Sequence, residues 1–224
     1  MDKQVRHLGV RDGYDEWSET YDATPNPLVA LDRRYTMRLL RPRPRERILD
    51  AGCGTGDHLG RMLKARSSPV GLDLSHGMLR VTRRKYPALP VAQADLNETL
   101  PIRARSFDAA MCALVGEHLT RPVRLFRELH TSLVPAGRLV FSVFHPEMAA
   151  AGIEANFERD GVEYRLGAHR YTVDDYLNMI DRAGFRDIEA REYRGDDALV
   201  RQVPWASKYR GRPLMLAVVA TKRR

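Results

Sequence analysis

The stretch from Asp50 to Asp57, Asp-Ala-Gly-Cys-Gly-Thr-Gly-Asp, carries the densest candidate chemistry in the chain. Gly52, Gly54 and Gly56 alternate with Cys53 and Thr55, so the backbone can turn tightly and a ligand can lie directly against it. Amide N–H groups at the start of a following helix present partial positive charge to an anionic group such as a carboxylate. Asp50 adds a fixed negative charge suited to an ammonium. A ligand offering both groups at once is an amino acid. Two further acids, Asp73 and Asp95, follow at spacings of 23 and 22 residues. Asp73 can accept from both hydroxyls of a ribose, and Asp95 can accept from an adenine amino group. The three acids together describe an amino acid joined to a nucleoside.

A dinucleotide site would also place an acid after its second strand. Here, however, the glycines run Gly-x-Gly-x-Gly rather than Gly-x-Gly-x-x-Gly, and Asp50 with Asp57 would repel a pyrophosphate. The Gly-Lys-Ser/Thr of a phosphate-binding loop is absent. Any one of the acids would serve as a helix cap or a solvated turn, but three at successive strand ends are poorly explained that way.

The elements that must hold these residues alternate. Short apolar strands are expected at 47–51, 70–73, 91–94, 107–112 and 138–144, with helices at about 57–65, 75–86 and 122–134 between them. Ser75 is placed to cap the second of these helices, which Pro87 ends. Thr172 with Asp175 resembles a capping box opening a further helix that Gly184 closes, and strands near 188–193 and 214–221 complete the set. Residues 13–40 read as two short helices broken around Pro25 and Pro27, with Leu28, Leu31, Tyr35, Leu39 and Leu40 on one face. Such alternation predicts an α/β fold, a mostly parallel sheet flanked by helices, whose ligands bind beyond the carboxyl ends of the strands.

Composition sets the outer bounds. With 224 residues, 43% hydrophobic and 29% charged, the chain suits one globular domain. No apolar run approaches the roughly 20 residues of a membrane-spanning helix. The charged stretch Met1–Arg11 contains no apolar core of a secretion signal, and the two cysteines, Cys53 and Cys112, offer no disulfide scaffold; both suggest the cytoplasm. The net charge of +8 invites a nucleic-acid reading. Arginines are nevertheless scattered from Arg6 to Arg224, and groups such as Arg83-Arg84-Lys85 and Lys222-Arg223-Arg224 are not interleaved with aromatics, so a nucleic-acid partner is not expected.

The motifs resemble those of class I S-adenosylmethionine (SAM)-dependent methyltransferases. Ile48-Leu49-Asp50-Ala51-Gly52-Cys53-Gly54-Thr55-Gly56 looks like their first motif, Gly71-Leu72-Asp73-Leu74-Ser75 with Met78-Leu79 their second, and Gln93-Ala94-Asp95-Leu96 their third. Phe107-Asp108-Ala109-Ala110 and Leu133-Val134-Pro135-Ala136-Gly137-Arg138-Leu139 resemble the fourth and fifth. The pairs Tyr14-Asp15 and Tyr21-Asp22 bring the chain near the ubiquinone- and menaquinone-biosynthesis group. The resemblance implies a Rossmann-like seven-stranded sheet with its last strand antiparallel. It also implies a helical lid at 1–40, a cofactor-binding core at 41–146 and substrate-covering inserts at 147–170 and 195–212. SAM is the implied cofactor and a small molecule the implied acceptor. An RNA-directed enzyme or a non-catalytic SAM sensor are the alternative readings.

For the site, the resemblance assigns Asp50, Ala51, Gly52, Gly54 and Gly56 to the methionine end of SAM and Asp73 to its ribose. Leu74 and Met78 go to the adenine faces, Asp95 and Leu96 to its edge, and Ala113 to the methyl-donor side. Tyr14, Trp17 and Tyr21 belong to the implied lid, Tyr21 toward the cofactor and the other two toward substrate. A base is needed only where the acceptor must lose a proton. Glu117-His118 after the fourth strand and His145 after the fifth are the candidates. Phe157 and Arg165, in the first insert, are candidates for contacting the acceptor. Metal assistance is not expected, because related metal-dependent enzymes carry a Glu where this chain has Leu114.

Overall fold

The computed structural model describes residues 4–223. Met1–Lys3 of the charged N-terminal stretch and Arg224 of the basic tail lie outside the described residues. Ten strands and eight α-helices are present among them: β1 Gln4–His7, α1 Val10–Trp17, α2 Pro27–Leu40, β2 Arg47–Ala51, α3 Asp57–Lys64, β3 Ser68–Asp73, α4 His76–Lys85 and β4 Val91–Gln93. Then follow β5 Phe107–Ala113, α5 Pro122–Ser132, β6 Leu133–Phe144, α6 Pro146–Ala150, β7 Asn156–Arg159, β8 Val162–Arg165, α7 Val173–Arg182, β9 Phe185–Arg194, α8 Asp197–Gln202 and β10 Pro213–Lys222.

Seven strands form the main sheet in the order β4-β3-β2-β5-β6-β10-β9. Pairs from β4 to β6 are parallel, and β10 inserts antiparallel between β6 and β9. This is the expected mixed sheet with an antiparallel last strand. Apolar runs explain its placement: Pro213–Val218 of β10 and Leu139–Val143 of β6 are buried on both faces, as strands covered by helices must be. The chain leaves β2 in one direction through β3 and β4 and returns on its other side at β5, so a crevice opens beyond β2 and β5.

Local chemistry starts the helices where the sequence places them. The Asn26 carboxamide accepts from Leu28 N at 2.9 Å with Pro27 at the first helical position of α2. The Ser75 hydroxyl accepts from Met78 N at 3.0 Å, and the Thr172–Asp175 capping box opens α7.

Two features depart from expectation. Helix α2, expected within the covering segment, is built into the core: Leu31 and Leu40 are fully buried, among Met215 and Ala217 of β10 and Val140 of β6. Residues 8–24 contribute Val10, Tyr14 and Tyr21 to the lining of the crevice. The first insert is a hairpin, β7–β8, whose Asp160-Gly161 turn takes positive φ at both residues. Strand β1 adds to β8 in parallel, tying the N-terminal segment to the insert in a second, three-stranded sheet.

Candidate functional site

Beyond the carboxyl ends of β2, β3 and β5 lies a cavity of about 360 Å³. Its walls include Gly52 and Gly54 of the loop, Asp73, Leu74 and Met78 after β3, Asp95 and Leu96 after β4, and Ala113 after β5. Tyr14, Tyr21 and His118 close it from the other side. Most residues expected at the cofactor therefore meet in one place. Asp50, Ala51 and Gly56 lie behind this lining, Asp50 and Ala51 almost wholly buried.

Glycine is required in this loop. Gly52 has φ +86°, and a Cβ there would run into the Val115 side chain. Gly54, at φ +51°, has open space where a Cβ would stand and donates its N–H to Asp73 Oδ2 at 2.8 Å. The other carboxylate oxygen of Asp73 accepts from Ser75 N at 2.8 Å. Burial raises the Asp73 carboxyl to about 6 against these two amides.

Asp50 differs. Both its oxygens are buried and neither has a hydrogen-bond partner. Burial, opposed by nearby His58, lifts this carboxyl to about 7. Desolvated and unpaired, it suits an incoming ammonium. Beneath it, His58 Nε2 and Asp32 Oδ2 lie 2.5 Å apart, and Asp32 also accepts from Ser142 Oγ at 2.7 Å and from Thr36. Burial opposes charge on both, yet the pairing prevails: His58 is raised and Asp32 lowered from its ordinary value. Asp32, His58 and Arg33 all line the cavity, and none was singled out from the sequence. The signal was present: Asp32 interrupts the apolar face formed by Leu28, Leu31, Tyr35 and Leu39.

A second cavity of about 370 Å³ shares Tyr14, Tyr21, Val29 and Leu114 with the first. Trp17, Phe157 and Glu117 line it, with Trp205 and Tyr209 of the second insert. Leu114, at the junction, has φ +56°, an uncommon conformation for a bulky residue and one that clusters at functional sites. The next turn, Gly116–His118, puts His118 on the first cavity and Glu117 on the second. Tyr14 Oη and His118 Nε2 share a 3.0 Å hydrogen bond. Burial lowers His118 and raises Tyr14, so both favour their neutral forms.

Two expected residues stand elsewhere. His145 is 1% exposed and lines neither cavity; its Nδ1 accepts from Glu147 N at the start of α6, with Nε2 turned toward Glu192 at 3.6 Å. The Phe144-His145-Pro146 junction is a helix cap. Arg165 is half-exposed at the end of β8, the middle strand of the small sheet, where it bonds Glu163 at 2.8 Å and lies 3.9 Å from Glu154. Its charge is already matched there, and it too lines neither cavity.

The aspartates of the two Tyr-Asp pairs hold the cover in place. Asp15 Oδ1 accepts from Ser75 Oγ at 2.6 Å and from Gly77 N at 2.7 Å. Asp22 accepts from Thr55 Oγ1 at 2.7 Å and pairs with Lys85 at 2.5 Å. Each pair thus turns its tyrosine to the cavity and its acid to the cofactor-side loop or helix.

Residues 49–141 match a family model described as "Methyltransferase domain". The chain is 32% identical to the ubiquinone/menaquinone biosynthesis C-methyltransferase of Syntrophotalea carbinolica, over 81% of this chain and 88% of that protein. It is also 32% identical to the demethylmenaquinone methyltransferase of Streptomyces avermitilis, over 66% of this chain and 65% of that protein. A crystal structure of an S-adenosylmethionine-dependent methyltransferase from Mesorhizobium loti superposes with a TM-score of 0.74 at 28% identity, covering 88% of this chain and 100% of that one. The match spans 30%, 65% and 63% of the length of the first three curated relatives.

Proposed function

Since the chain belongs to the class I SAM-dependent methyltransferase family, we propose that it transfers a methyl group from SAM to a small-molecule acceptor. The single observation that carries this reading is the pair of cavities meeting at Leu114, one lined by the family's cofactor residues and one by aromatic side chains. When bound, SAM supplies a methyl carbon already activated by a sulfonium.

The residues fit that cofactor. The unpaired Asp50 carboxylate suits its ammonium, Asp73 its ribose, Leu74, Met78 and Leu96 the faces and edge of adenine, and Asp95 its amino group. What remains for the protein is positioning and exclusion of water. Tyr14, Trp17 and Tyr21 cover the junction, and neutral His118 beside Glu117 is placed to take a proton from the acceptor. No helix among the described residues is long and apolar enough to cross a membrane. The buried free thiols Cys53 and Cys112 favour a reducing, cytoplasmic setting.

Calorimetry with S-adenosylhomocysteine tests the reading. Wild type should bind at micromolar concentration, and Asp73→Ala should weaken binding about tenfold or more, the loss of a bidentate contact. Folded wild-type protein that binds neither SAM nor S-adenosylhomocysteine would remove it.

A further inference from the structure

We propose that the acceptor is a hydrophobic amine, held in the second cavity by the Glu117 carboxylate within a cage of aromatic rings. This rests on the methyl-transfer reading and names the class of molecule that the second cavity takes.

Glu117 is the first observation. It is 5% exposed, its Oε2 is buried without a hydrogen-bond partner, and among the described residues no ion pair reaches its carboxylate. Buried carboxylates are ordinarily matched by a cation or by several donors, because an unmatched one carries a large desolvation cost. A protein that keeps such a group gains something from it when a ligand arrives.

The second observation is what surrounds it. Trp17 stacks on Phe157 with ring centres 5.3 Å apart and meets Tyr21 edge-on at 4.9 Å. Tyr14, Trp205 and Tyr209 line the same cavity. Aromatic faces attract cations, most strongly where water is excluded. The third is a matter of charge. The sequence holds 37 Lys and Arg, yet among the described residues no arginine, lysine or histidine lines this cavity, whereas Glu117 and Glu154 do. Lys208 already stands 5.3 and 5.0 Å from the Trp205 and Tyr209 ring centres, and Glu154 lies 3.9 Å from Arg165, so the place left for an ammonium is at Glu117 and the nearby Tyr14 and Tyr21 rings.

The arrangement also suits what an amine requires before it can react. An alkylamine arrives protonated at neutral pH and has no free lone pair until it sheds one proton. Tyr14 lines both cavities and, donating its hydroxyl proton to neutral His118 Nε2, links them: as the amine gives its proton to the Tyr14 oxygen, the tyrosine's own proton passes to His118, while Glu117 keeps the nitrogen in place.

The test uses protein saturated with S-adenosylhomocysteine and calorimetry with matched probes: tryptamine and 2-phenylethylamine, their alcohols, and indole-3-propionate. The amines should bind at least about tenfold tighter than the alcohols, with indole-3-propionate weakest. Glu117→Gln should cost the amines roughly thirtyfold or more and leave the alcohols unchanged. Without ligand, Glu117→Gln should melt at the same or a higher temperature, since it removes an unmatched buried charge. Failure of every amine to bind, equal binding of the carboxylate, or a lower melting temperature with amine affinity intact would each overturn the proposal. Amine binding by a protein that does not bind S-adenosylhomocysteine would support the amine site while removing the methyl-transfer reading, so the two can fail separately.

Discussion

His118 and His145 are alike in sequence context and burial, and they differ in what surrounds their nitrogens. Each follows a strand end, and they are 8% and 1% exposed. His118 Nε2 shares a hydrogen bond with a cavity tyrosine, whereas His145 Nδ1 closes the first turn of α6. Their substitutions should separate accordingly. His145→Asn keeps a capping side chain and should leave methyl transfer near wild type. His118→Asn removes the proposed proton acceptor and should lower turnover about 10²–10⁴-fold with S-adenosylhomocysteine affinity little changed. Imidazole NMR gives an independent reading: burial should make His118 titrate below the ordinary 6.5. A His118 signal titrating above that value would exclude the neutral-base role.

At the scale of elements, the cover segment is held by two acids rather than by apolar packing alone. Asp15 accepts two hydrogen bonds at the start of α4, where it also meets the positive end of the helix. Asp15→Ala should therefore loosen residues 8–24, seen as faster amide exchange there, and weaken S-adenosylhomocysteine binding by roughly tenfold. Unchanged exchange in that segment would mean that aromatic packing suffices to hold it. These latches show where the sequence was legible. With short-range signals, such as Ser75 three residues before Met78 and Thr172 with Asp175, the caps stand where the spacing puts them, because such signals name their own partners. Long-range pairings do not. Nothing in Gln4–His7 announces that it will pair with Val162–Arg165, because register between distant strands is decided in space. The Asp160-Gly161 turn was a readable hairpin signal that was missed among charged neighbours. Asp32 was hidden for a related reason: one acid on an apolar face looks like an imperfect helix until His58 and Ser142 come to meet it.

For the whole molecule, the cluster beneath the cofactor loop makes stability and cofactor binding respond oppositely to pH. Asp50 and Asp73 are raised by burial to about 7 and about 6, from 3.8. The folded state therefore holds these protons more tightly than the unfolded chain, and between pH 4 and 7 stability falls as pH rises. His58, raised from 6.5, acts in the same direction: its contribution is complete below 6.5 and is lost as pH climbs through its folded value. Asp32 is lowered from 3.8, so its stabilisation is lost only in stronger acid. Ligand-free protein should accordingly be more stable at pH 5.5 than at pH 8, by on the order of a few kcal/mol, and melt at a correspondingly higher temperature. With the ammonium met by an ionised Asp50, as proposed, S-adenosylhomocysteine affinity should fall up to about tenfold per pH unit below pH 7. Asp50→Asn removes the titrating group: its melting temperature should depend less on pH, and its weaker binding should lose most of the pH dependence. Thermal melts and calorimetry across pH 5.5–8 on both proteins decide the matter. A wild-type melting temperature that rises steadily toward pH 8 would mean that Asp50 is already ionised and matched in solution, and the loop would then meet the ammonium by some other group.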